Sequence, residues 1–264
     1  MVAADSEPAL LREEDGPAAE VINGQADGPL VLACEHASRR IPVALRDLDL
    51  APGALTSHIA WDPGALAVAK HLSAALDAAL VAPRFSRLVF DCNRPPGPAG
   101  VATLSEDIPI PGNLDLTPEQ LSARVNAVYE PFRRTLAETI EARLQRPRPA
   151  VLVTIHSFTP VFLGRRRDVQ VGILHDADSR LADAMLARAA DVLGLDTRRN
   201  EPYGPRDGVT HTLREHALRH SIANVMIEIR NDLIADDAGI RTMAAGLTRL
   251  LRLAIDDLQP NPAA

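Results

Sequence analysis

Several short stretches of this chain are apolar at most positions, on both parities instead of at alternate ones, and this limits the fold more than any other feature. A strand with one wet face alternates apolar with polar residues. A strand that is apolar throughout must be covered on both faces, as in a parallel sheet flanked by helices. The runs are residues 29–34, 88–92, 151–155, 169–174 and 223–229. Between them lie segments with helical starts and periods: residues 65–80 after Asp62-Pro63, residues 117–145 opened by Thr117, Pro118 and Gln120, residues 179–193, a shorter one after Asp207, and residues 236–258. The Thr-Pro-x-Gln opening is a capping box with proline at the first helical position.

Strands separated by helices predict an α/β fold, a three-layer sandwich whose mainly parallel or mixed sheet is covered by helices on both sides. A chain of 264 residues fits one such domain over residues 28–264. Residues 1–27 are rich in Asp, Glu, Ala, Pro and Gly without an apolar period, and read as a flexible N-terminal arm. The Pro- and Gly-rich stretch 95–118 reads as a long surface loop or lid.

The net charge of −7 and the 3% aromatic content argue against a nucleic-acid surface, which needs a basic stripe and stacking rings. The run Arg165-Arg166-Arg167 reads as a solvated loop. No apolar run approaches the roughly 20 residues that span a bilayer, and no signal sequence opens the chain, so a cytoplasmic location without membrane attachment is expected. Cys34 and Cys92 both fall in apolar runs and read as reduced, buried thiols. Gly-x-Ser-x-Gly, Walker and Gly-x-Gly-x-x-Gly patterns do not occur, which weighs against serine hydrolase, nucleotide-binding and dehydrogenase chemistry.

The ends of the apolar runs carry the chemistry. They lead into Glu35-His36, Asn93-Arg94 and His156-Ser157, while the last contains Glu228 and is followed by Arg230. In open α/β sheets the carboxyl ends of the strands form the ligand crevice, so these segments are expected to meet in one site. Two imidazoles with carboxylates nearby suit Zn²⁺, which takes nitrogen and oxygen donors and, at catalytic sites, keeps one position open. A carboxylate such as Glu228 inside an apolar strand is costly unless a cation or a proton compensates it.

The segments CEHASRRIP (34–42), HIAWDPGA (58–65), SRLVFDCNRP (86–95), IHSF (155–158), YGPRDGVTHTLREHA (203–217) and IEIRNDLI (227–234) resemble the N-formylglutamate amidohydrolase family, from about residue 28 onward. The family is similar in fold to the zinc carboxypeptidases and to the aspartoacylase and succinylglutamate desuccinylase group, a phosphorylase/hydrolase-like architecture. The resemblance implies one Zn²⁺ per chain, held by His36 and His156. It further implies that Asn93 and Arg94 grip a substrate carboxylate and that Glu228 shuttles protons. Those relatives use His-x-x-Glu for two ligands, whereas Arg39 stands three residues after His36 here, so a third ligand must come from elsewhere. Asp62 is the first choice and Glu35 the alternative.

On this reading the chain hydrolyses a non-peptide amide in N-formylglutamate or a related N-acyl amino acid, a small-molecule substrate. Arg87 supports Arg94 or faces the oxyanion, Thr210 and His211 touch substrate, and Arg230 lies on the substrate side with Glu228. Structural alternatives stand beside these roles. Asp62 before Pro63 is also a helix N-cap, and Glu228 could form an ion pair with Arg230. A metallocarboxypeptidase-like peptidase and a non-catalytic carboxylate-binding module are the competing functions; the oligomeric state is not written in the pattern.

Overall fold

The computed structural model describes residues 9–147 and 149–258. In chain order its elements are β1 (Ala19–Ile22), β2 (Leu30–Ala33), α1 (Pro52–Thr56), α2 (Ala65–Leu76), β3 (Ala79–Pro83), β4 (Leu104–Ser105), β5 (Ile108–Pro109), α3 (Pro118–Arg124), α4 (Glu130–Leu144), β6 (Val151–Phe158), β7 (Val161–Phe162), β8 (Arg165–Arg166), β9 (Val171–Leu174), α5 (Arg180–Leu193), β10 (Thr197–Arg199), β11 (Ala223–Arg230) and α6 (Asp237–Leu258). Seven strands form one sheet in the order β1-β3-β2-β6-β11-β9-β10. The pairs β3-β2, β2-β6, β6-β11 and β9-β10 are parallel, whereas β1-β3 and β11-β9 are antiparallel. The sheet is thus mixed, mostly parallel and centred on β2, β6 and β11, as the apolar runs require.

Successive residues of the central strands serve opposite layers. Leu30, Leu32, Val153, Ile155, Val225 and Ile227 pack against α2, α5 and α6 through residues such as Leu72, Met185 and Leu247. Val31, Ala33, Leu152 and Met226 face Phe132, Leu136 and Ile140 of α4. Both faces are dry, so neither tolerates the polar alternation of a one-sided strand.

Three details depart from the sequence expectation. Residues 88–92 form no strand; their place beside β2 belongs to β3, in a segment that reads as the end of a helix over 65–80. That helix stops at Leu76 because Asp77 turns into the left-handed region at φ 48°, and the chain reverses into β3. The apolar run 86–92 is instead a buried irregular segment whose backbone is satisfied from outside. Ser86 Oγ accepts from Leu88 N at 3.1 Å, while Asn113 Nδ2 and Arg124 Nη1 donate to the carbonyls of Leu88 and Val89 at 2.9 and 3.3 Å. Secondly, residues 19–22, inside the stretch read as an arm, form the edge strand β1; residues 1–8 of that stretch lie outside the described residues.

Thirdly, the helix expected over 117–145 is interrupted. The Thr117 capping box forms as expected, but a π-helical turn over Val125–Tyr129 separates α3 from α4. Pro131 follows directly; it lacks an N–H, and a π turn just before it relieves the hydrogen-bond register there. The stretch 95–118 contains the small hairpin β4-β5.

Phe132 is fully buried at the centre of the α4 layer. Phe132→Ala is expected to cost about 3–5 kcal/mol, as large-to-small core changes do, read as a shifted urea midpoint. A loss under about 1 kcal/mol would mean that this layer is not part of the cooperative core.

Candidate metal centre and catalytic cleft

The parallel register brings the polar groups together. Ala33 pairs with Thr154, so two residues further on Glu35 comes level with His156, and His156 pairs directly with Glu228 on β11. All three side chains lie on the α4 face of the sheet, and the antiparallel partner of Glu228 is Gly172 of β9, where an added Cβ would run into the Glu201 carbonyl. His36, one residue beyond Glu35, leaves the strand and turns toward Asp62. The segment carrying Asp62 is seated by the Asp62 N–H donating to the His36 carbonyl at 3.0 Å. It is also seated by Gly64, where φ is +81° and an added Cβ would lie 2.6 Å from the Ile234 carbonyl oxygen.

Three donor atoms converge. His36 Nδ1 and His156 Nδ1 lie 3.2 and 3.0 Å from Asp62 Oδ2 and 3.2 Å from each other. His36, Asp62 and His156 are all buried, and among the described residues they form the one cluster of three His, Cys, Asp or Glu side chains able to hold a metal ion. Behind each imidazole stands a carboxylate. His36 Nε2 lies 2.7 Å from Asp91 Oδ1 and His156 Nε2 lies 3.0 Å from Glu35 Oε2. Carboxylates there favour the tautomer with hydrogen on Nε2, which leaves two Nδ1 lone pairs and a carboxylate lone pair aimed at one point. Three acceptors facing each other repel unless a cation sits between them. The edges of the triangle are close to the roughly 3.3 Å expected between ligands of tetrahedral zinc with bonds of about 2.0–2.1 Å. The residues present therefore fit a zinc-sized divalent ion.

Without a cation the cluster needs protons. Burial and Arg87 pull His36 down, but Asp91 and Asp62 outweigh them and its pKa is raised. For His156, burial is outweighed by Glu35 and Asp62, and the pKa lies well above the usual imidazole range. Burial would raise Asp62 and Asp91, yet His36 and its neighbours hold both well below the usual carboxylate range. Glu228 goes the other way. Burial pushes it up to about 7, with Asp62 adding to the rise while His156, His36 and Arg87 oppose it. Its Oε2 is buried without a hydrogen-bond partner, at the wall of a cavity of about 490 Å³.

That cavity collects many of the expected residues: His36, Asp62, Arg87, Asn93, Arg94, His156 and Glu228 all line it. Arg87 reaches Asp62 Oδ1 at 3.4 Å and Asp91 Oδ2 at 3.1 Å. Arg94 donates to the Asp207 carbonyl at 2.7 Å. Asn93 uses both ends of its amide on the backbone, donating to the Val209 carbonyl at 2.5 Å and accepting from Thr212 N at 3.0 Å. The Asp62 carboxylate does not cap α2, whose N-cap is Gly64 with no side-chain bond.

Four of the expected residues lie away from the converging atoms. Glu35 sits behind His156, away from the three converging atoms, because parallel pairing places it alongside the ring edge that carries Nε2. Thr210 is turned to Asp176 Oδ2 at 2.5 Å, His211 to the Tyr129 hydroxyl at 2.8 Å, and Arg230 to Asp232 and to the carbonyls of Arg167 and Asp168. None of these three lines the cavity. Arg230 and Glu228 share a strand face, but Arg230 is drawn off by the carbonyls beyond the sheet end, so the two do not pair. Asp91 is the important residue missed by sequence reading; like Glu228, it is a carboxylate inside an apolar run, and that signal could have marked it. His58, whose Nε2 lies 2.6 Å from Glu106 Oε1 on the β4-β5 hairpin, closes the rim.

A family model described as N-formylglutamate amidohydrolase matches residues 28–235. Among solved structures, the chain is similar to a gene product of Agrobacterium tumefaciens at 52% identity and a TM-score of 0.92, covering 95% of this chain and 100% of that one. It is also similar to an N-formylglutamate amidohydrolase from Ralstonia eutropha JMP134 at 21% identity and a TM-score of 0.66, covering 90% and 97% of the two chains, a likeness of fold. No curated protein matches the chain.

The raised histidines contribute stability that is fully present below their ordinary value of 6.5 and lost as pH rises through their folded values. The lowered aspartates contribute stability that is present above 3.8 and lost as pH falls through their folded values. Chelator-treated protein is therefore expected to melt highest at about pH 5–6 and lower toward both sides. Asp91→Asn should flatten that maximum in calorimetry; a melting temperature that climbs steadily from about pH 5 to 8 would contradict the pairing.

Proposed function

The chain belongs to the N-formylglutamate amidohydrolase family, and on that premise we propose that it hydrolyses the amide of an N-acyl amino acid, N-formylglutamate or a relative, with one zinc ion per chain. The observation that carries this reading is the convergence of His36 Nδ1, His156 Nδ1 and Asp62 Oδ2 within 3.0–3.2 Å, beside a carboxylate raised to about 7. His36, Asp62 and His156 would hold the metal. When bound at such sites, zinc lowers the pKa of water from 15.7 toward about 7 and polarises a carbonyl.

The protein's own groups do the rest. Glu228 takes a proton from the attacking water on its free Oε2 and returns it to the leaving nitrogen. A base with a pKa near working pH serves both directions of that transfer. Arg94 binds a substrate carboxylate through the part of its guanidinium not used on the Asp207 carbonyl, a planar fork that Lys lacks. Asn93 holds the segment 209–212 and thereby the loop against which Arg94 rests. Arg87, fixed between Asp62 and Asp91, places its positive charge beside the scissile carbonyl, where negative charge develops during attack. Asp91 and Glu35 orient the two imidazoles from behind.

The purified protein is expected to contain about one zinc per chain by elemental analysis. His156→Ala should lose both metal and turnover, and Asp91→Asn should weaken zinc about 10- to 100-fold in chelator competition while keeping the fold. A metal-free protein that remains fully active would refute the assignment.

Glu228→Gln is expected to lower kcat by roughly 100- to 10,000-fold with zinc still bound. The wild-type kcat/KM should fall toward acid pH, because a protonated Glu228 carboxyl cannot accept the water proton. Unchanged turnover in Glu228→Gln, tested against N-acyl amino acids and short peptides alike, would remove Glu228 from the reaction.

A further inference from the structure

We propose that this cavity selects a substrate with one carboxylate and an otherwise apolar body, instead of the two carboxylates of N-formylglutamate; the inference rests on the amide-hydrolysis reading above. The first observation is the supply of cations. Among the described residues lining the cavity, the arginines are Arg87 and Arg94. Both terminal nitrogens of Arg87 are spent on carboxylates, Asp62 Oδ1 at 3.4 Å and Asp91 Oδ2 at 3.1 Å. His58 is paired with Glu106 at 2.6 Å. Arg94 differs: one terminal nitrogen donates to a backbone carbonyl, its Nε is 3.9 Å from Asp91 Oδ2, and its side chain is 28% exposed. It has room for one carboxylate.

A second substrate carboxylate would meet Glu106, Asp207 or Glu228, which also line the cavity. Like charges in a partly desolvated space repel, and a carboxylate left without a partner there is costly.

The second observation is the apolar part of the lining, which includes Phe158, Phe162, Tyr203 and Leu104 on the hairpin. Arg167, which contacts these rings, is not among the residues lining the cavity. Arg167 lies over their faces, its guanidinium carbon 5.6, 4.4 and 4.9 Å from the ring centres of Phe158, Phe162 and Tyr203, and it donates to the Tyr203 hydroxyl at 2.8 Å. An arginine spent on the ring faces and on the Tyr203 hydroxyl is not free to take a substrate carboxylate, and the rings themselves offer apolar surface. Such a surface rewards hydrocarbon, and a site of this kind discriminates about 10- to 200-fold for each methylene-sized change. The apolar part could be the amino-acid side chain under a short acyl group or a longer acyl chain, and the two are separable by experiment.

The test uses the full-length zinc enzyme and compares kcat/KM for N-formyl-L-leucine, N-formyl-L-phenylalanine, N-hexanoylglycine, N-formylglycine and N-formyl-L-glutamate. At least one apolar substrate should exceed N-formylglutamate tenfold or more, and the better of N-formylleucine and N-hexanoylglycine tells which part of the substrate meets the rings. Phe162→Ala should cut that advantage at least tenfold, read as the ratio of kcat/KM for the apolar substrate to that for N-formylglutamate in the same variant, a ratio that partial misfolding does not move. Equal or better turnover of N-formylglutamate overturns the inference and leaves the hydrolytic reading standing. Calorimetric binding to Glu228→Gln covers the remaining case. If no amide is cleaved but N-formylleucine binds at least tenfold tighter than N-formylglutamate, hydrolysis fails and the selectivity stands; the reverse order of binding rejects the selectivity.

Discussion

Three lone pairs aimed at one point are the constraint around which this molecule is organised. His36 Nδ1, His156 Nδ1 and Asp62 Oδ2 sit at mutual distances that three facing lone pairs do not keep without a cation or protons between them. The carboxylates of Asp91 and Glu35 hold both rings in that attitude from the far side. The surrounding shifts follow from it. Both histidines are driven to hold protons when no metal is present, and the aspartates stay ionised. Glu228 has no such direct partner and is pushed by burial toward neutrality. One local geometry thus separates groups that hold charge from a group able to exchange it.

The sheet is what keeps that geometry. Parallel pairing of β2, β6 and β11 sets Glu35, His156 and Glu228 in a row across three strands, on the face covered by α4. Slipping any of these strands by one residue would turn its polar group into the opposite, apolar layer. The apolar layers on both faces, a cost to any polar group placed there, are the same feature that desolvates Glu228. Fold and site chemistry therefore draw on one physical cause.

Around this centre the cavity is asymmetric. Charge and metal-ligand chemistry lie at the strand ends, with Arg94 as the cation available to a ligand. Part of the lining is aromatic, and Arg167 packs on those rings. The aromatic side is formed by residues 158–167 and 203, and it bears on which amide the enzyme prefers.

The sequence by itself determined the layered α/β class, the central strands, and the polar residues delivered to their ends, because strands dry on both faces must be apolar throughout and only their ends can leave the core. His36, His156, Arg94 and Glu228 were legible for that reason, and Asp62 through its motif. Only the tertiary structure decided which carboxylate completes the triangle and which stands behind a ring, because that depends on register between strands far apart in the chain. It also decided that residues 88–92 are a buried loop and 79–83 the strand, since burial makes both segments equally apolar and only a ladder partner tells them apart. Thr210, His211 and Arg230 were drawn to partners outside the cavity by contacts that no local pattern encodes, and Asp91 acquired its importance only when folding brought it 2.7 Å from a histidine fifty-five residues earlier.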